Sequence, residues 1–90
     1  MEEEIRAQWF YQSKPERDTP YRELVLEHDG QWGLRVCLFG GTKWRAKGDG
    51  TLMKQVLVKS IEAGEVEFNW MFRELCDSGW KPETPYQTWD

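Results

Sequence analysis

Long apolar runs are missing from this chain of 90 residues. None approaches the roughly 20 residues that a membrane-spanning helix needs, so no such helix is expected. No secretory leader is expected either: Met1 is followed by Glu2, Glu3 and Glu4, the wrong charge, and no apolar stretch comes after them. Cysteine is scarce, with only Cys37 and Cys76, which share no C-x-x-C spacing. The expectation is two buried thiols in a reducing cytoplasm rather than a disulfide scaffold.

Histidine is scarcer still. His28 is the single one, next to Asp29-Gly30, and reads as a solvated turn residue. With no His or Cys cluster, and no acidic loop beyond Gly48-Asp49-Gly50, no metal site is expected. A nucleophile also needs a base beside it, and the sequence supplies no such pairing. Glu62, Glu65 and Glu67 are ordinary acidic residues for the start of a helix. Gly40-Gly41-Thr42-Lys43 lacks phosphate-loop spacing. The expectation is therefore a protein that is not an enzyme and carries no cofactor.

What is abundant is aromatic: six Trp, four Phe and three Tyr. Such rings bury large areas and let a small domain fold without staples. At 39% apolar and 31% charged residues, the composition fits one globular domain over residues 1–90.

Along the chain, residues 1–8 read as a frayed, acidic start. Gln8 to Ser13 has strand composition, and Lys14 to Pro20, with two prolines, is a loop. Tyr21–Glu27 and Gln31–Phe39 read as a hairpin. A three-residue loop, His28-Asp29-Gly30, with Gly30 left-handed, sets Leu24 opposite Leu34, Leu26 opposite Trp32 and Arg22 opposite Val36. That register gathers Leu24, Leu26, Trp32, Leu34, Val36 and Leu38 on one face. Glu23, Val25, Arg35, Cys37 and Phe39 fall on a mixed second face.

Gly40-Gly41 breaks the strand, Lys43 to Lys47 is a short strand or a loop, and Leu52 to Lys59 is a further strand. Ser60 to Ser78 reads as the one helix, with Ser60 as N-cap, Gly79 as the left-handed stop, and Ile61, Gly64, Phe68, Met71, Phe72 and Leu75 on one face. Gly64 weakens the first turns and allows a later start near Glu65. Residues 81–90 form an extended tail. The fold class is α+β: a small antiparallel sheet of four or five strands with one C-terminal helix packed across one face.

Charge is uneven. Residues 1–30 carry net −4, residues 31–60 net +5 and residues 61–90 net −5, which sum to −4. The basic middle makes Arg35, Lys43, Trp44, Arg45, Lys47 and Lys54 candidates for tracking phosphates and stacking a base. Residues 21–81 also loosely resemble a WGR domain, a sheet-plus-helix nucleic-acid module, in Tyr21-Arg22-Glu23-Leu24, the glycine-rich hairpin and a helix ending in Gly79-Trp80. The consecutive Trp-Gly-Arg of that family does not occur, so no functional residue is carried over.

The leading expectation is a non-enzymatic interaction module, a regulator or inhibitor that binds a cytosolic protein partner. Its candidate anchors are Trp44, Trp70, Tyr86 and Trp89, aromatics that lie away from the hairpin–helix core; Trp70 is 200° around the helix from Phe68. The alternative is a nucleic-acid-binding module using the basic hairpin. No membrane partner is expected.

Overall fold

A computed structural model describes residues 3–16, 18–42 and 50–85. Among these residues there are five strands, β1 (Glu3–Tyr11), β2 (Tyr21–Asp29), β3 (Gly33–Gly41), β4 (Thr51–Leu57) and β5 (Lys81–Glu83), and one helix, α1 (Ile61–Asp77), between β4 and β5. The strands form one antiparallel sheet in the order β4-β3-β2-β1-β5, and α1 packs on one face of it. The α+β class and the helix expected from the sequence are both present.

Residues 3–8, expected to be frayed, are instead strand. They pair with β2 from Glu3 opposite His28 onward, with an irregularity between Glu4 and Arg6. Glu3, Glu4 and Ile5 are exposed and Arg6, Ala7 and Gln8 are half-buried, so backbone pairing with β2 holds the first part of the strand. The extended tail begins as β5, which adds to the outer edge of β1 opposite Trp9, Phe10 and Tyr11.

The hairpin differs from its expected register. Leu24 faces Leu38 rather than Leu34, Leu26 faces Val36 rather than Trp32, and Arg22 faces Gly40 rather than Val36. The loop is three residues long, but it is Gly30-Gln31-Trp32. Asp29 is the cause. It ends β2, and its Oδ1 accepts the N–H groups of Gln31 at 2.7 Å and Trp32 at 2.9 Å. An Asx-type turn of this kind carries the chain past Gly30. The left-handed residue is Gly33, with φ of 81°, a conformation that costs glycine little.

Because the difference in register is an even number of residues, the apolar face survives it. Leu24, Leu26 and Val36 are buried with Phe10, Phe68, Met71, Leu75 and Trp80, while Leu34, Leu38, Val58 and Phe72 pack around them. Trp32 is the exception: it lies in the turn and is 51% exposed. His28 lies within β2 rather than in the turn, and is exposed.

The helix starts where its cap dictates. Ser60 is extended and its hydroxyl accepts the Ala63 N–H at 3.0 Å. Gly64 does not delay the start. A Cβ there would lie 2.5 Å from Leu26 Cδ1 and 3.3 Å from Val58 Cγ2, so the absent side chain is what lets α1 sit down on β2. Ile61, expected on the core face, is exposed. At the other end, Trp80 N–H bonds to Leu75 O at 2.9 Å and Gly79 N–H to Cys76 O at 3.1 Å, with Gly79 at φ of 94°. This is a Schellman stop, and Trp80 folds back beside Leu75 as such a motif favours. Cys37 is buried as expected. Cys76 is exposed, because it is 100° past Leu75 and off the core stripe.

Candidate functional site

Two surfaces away from the core carry chemistry: the sheet face opposite α1, and the outer face of α1.

On the sheet face, β2 contributes Tyr21, Glu23, Val25, Glu27 and Asp29, all buried. Tyr21 joins Trp9 and Tyr11 in a second apolar cluster, with the Trp9 and Tyr21 rings 5.1 Å apart between centroids. Arg35, directly opposite Glu27 on β3, has its Nη2 3.4 Å from Glu27 Oε1 and 3.4 Å from Asp29 Oδ2, while Nη1 donates to the side-chain oxygen of Gln55. Arg35 is only 9% exposed. Expected among the cations that would track phosphates, it is instead consumed by two carboxylates of its own sheet. Buried charges persist only when paired in this way.

The outer face of α1 is different. Positions 64, 68, 71 and 75 turn to the core, so 62, 66, 70, 73 and 77 must turn away. Trp70 is 59% exposed and Val66 is 62% exposed. They lie four residues apart, hence one above the other, and with Asn69 and Arg73 they line a shallow groove of about 210 Å³. Asn69 is anchored from the side. Arg6 on β1 donates to its Oδ1 at 3.0 Å, lies 3.6 Å from Glu65 and stacks 4.3 Å above the Phe68 ring. One wall of the groove is thus tied to the sheet.

Of the expected anchors, Trp70 is exposed where the helix periodicity put it. Trp44, Tyr86 and Trp89 lie outside the described residues, as do Lys43, Arg45 and Lys47. Lys54 is exposed on β4, well apart in sequence and register from Arg35, whose strand neighbour there is Leu57. Val66, Asn69 and Arg73 were not among the candidates. For two of them the signal was present: Val66 and Arg73 are four residues before and three after Trp70, its neighbours on any helix, whereas Asn69 is adjacent in sequence and carried no such signal.

The chain matches no protein-family model, no curated protein and no solved structure. Among the described residues, no helix is long and apolar enough to cross a membrane.

Proposed function

We propose that this chain is a non-enzymatic interaction module, a small regulator or inhibitor that works in the cytoplasm by binding a protein partner through the outer face of α1. The observation that supports this reading is Trp70, more than half exposed in mid-helix, with Val66 above it and Arg73 beside it. Trp and Arg are the side chains most enriched at the energetic centres of interfaces, and an apolar pair rimmed by polar groups is the usual anatomy of such a centre. Of the residues of the nucleic-acid alternative, Arg35 is withdrawn into ion pairs with Glu27 and Asp29, Lys54 is exposed, and Lys43, Trp44, Arg45 and Lys47 lie outside the described residues.

The test is capture from lysate on the immobilised chain, with wild type and Trp70→Ala side by side and with nuclease added to half of each. A species captured by wild type, lost with the variant and indifferent to nuclease supports the reading. Capture that survives Trp70→Ala but not nuclease transfers the function to the alternative.

A further inference from the structure

The chemistry of the partner can be read from what borders the groove. Along α1 the side chains at 62, 66, 70 and 74 form one row: Glu62, Val66, Trp70, Glu74. The two apolar members are bracketed by carboxylates at both ends. Glu67 lies three residues before Trp70, and Asp77 lies four residues beyond Arg73. Among the described residues none of these four carboxylates forms an ion pair, whereas Glu65 is held by Arg6. Across residues 61–77 there are five acidic residues and one basic residue, net −4.

Resting on the interaction reading above, we infer that the outer face of α1 docks a cationic amphipathic helix of a protein partner. Its apolar side chains would lie on Val66 and Trp70, and its Lys and Arg residues would meet Glu62, Glu67, Glu74 and Asp77. Charge complementarity carries the choice of occupant. A cationic segment gains steering and specificity from this rim, while an acidic one meets repulsion. A second copy is disfavoured by the same count: two antiparallel copies packed across Val66 and Trp70 would bring Glu62 of one helix against Glu74 of the other. A helix in a groove reads its partner through anchors spaced three and four residues apart, and Val66 to Trp70 has that spacing.

The probes are three fluorescein-labelled synthetic helices of about four turns. They share one Leu stripe and carry Lys, Gln or Glu on the polar face. Each is titrated with the full chain by fluorescence anisotropy. The Lys peptide is expected to bind at least about tenfold tighter than the Gln peptide, and more weakly as salt rises. Trp70→Ala should reduce its affinity about tenfold or more. The pair Glu62→Gln with Glu74→Gln should weaken it severalfold and flatten the salt dependence. All variants are first checked by urea melts, since exposed helix positions should leave folding intact.

Equal binding of the Gln or Glu peptide that still depends on Trp70 overturns the cationic partner and leaves the interaction reading standing. Lys-peptide binding indifferent to Trp70→Ala is charge attraction alone and overturns the docking inference. So does absence of Lys-peptide binding. A dimer in sedimentation that Trp70→Ala dissolves assigns the face to a second copy, which also overturns it.

Discussion

The two faces of β2 are both buried, for opposite physical reasons. Toward α1 it presents Leu24 and Leu26, which lie in the main core. Away from α1 it presents Tyr21, Glu23, Val25, Glu27 and Asp29. Burial of the first set is itself stabilising. Burial of the charged members of the second set is costly and is offset only by good partners. The apolar face is also indifferent to register. On that face β2 carries Leu24 and Leu26 and β3 carries Leu34, Val36 and Leu38, so a slip of two residues toward the turn still gives an apolar match. The charged face is not indifferent. Asp29 fixes the turn through Gln31 and Trp32, and Arg35 then stands opposite Glu27 and within reach of Asp29. The core supplies stability, and the ionic face selects among the pairings the core would accept.

Removing Phe68 should have the largest effect. It is fully buried on α1, below the Arg6 guanidinium. Phe68→Ala should cost roughly 3–5 kcal/mol in urea melts. A cost below about 1 kcal/mol would mean that α1 is not seated on the sheet as described.

Arg35→Met tests the opposite face. It keeps much of the side-chain length but leaves Glu27 and Asp29 without their guanidinium, and should cost about 3 kcal/mol. Since the pair is buried, that cost should hardly change between low and high salt. A cost that disappears at high salt would place the ion pairs at the surface and dissolve the contrast between the faces.

Asp29 separates its two roles by comparison of variants. Asp29→Asn keeps an oxygen for the Gln31 and Trp32 amides and loses only the charge, whereas Asp29→Ala loses both. The alanine variant should be less stable than the asparagine variant by about 1 kcal/mol. Amide exchange at Gln31 and Trp32 should accelerate in Asp29→Ala alone. Equal exchange in both would deny the side chain its control of the turn.

These contrasts also explain what could be read from the sequence. The helix was legible from Ser60 to Gly79 because a cap, a 3.6-residue apolar stripe and a left-handed stop all agree. The membership of the apolar face, Trp32 excepted, was legible because alternation survives an even slip. The register was not, because Asp29-Gly30 resembles a turn centre, while the fold uses Asp29 as the last strand residue and Gly33 as the left-handed one. β1 was half legible: Glu3–Gln8 lacks the apolar alternation that burial would impose, and pairs through its backbone instead. Of the outer helix face, Trp70 could be placed from its angle to Phe68, but its neighbours had to be sought on the same helix.

Trp70→Ala has the smallest expected effect on stability and makes the sharpest comparison with Phe68→Ala, two residues away on the same helix. The ring at 68 is fully buried, and the ring at 70 is 59% exposed. Alanine favours a helix over tryptophan by a few tenths of a kcal/mol. The modest contact area lost with the indole works the other way. The two terms nearly cancel, so the urea midpoint should move by less than about 0.5 kcal/mol equivalent, with an unchanged slope. Opposite outcomes at 68 and 70 follow from one geometric fact, the 200° between them. If Trp70→Ala instead costs more than about 2 kcal/mol, the indole is a packing element. The outer face of α1 would then hold no free anchor, and the partner would have to be sought on another surface of the molecule.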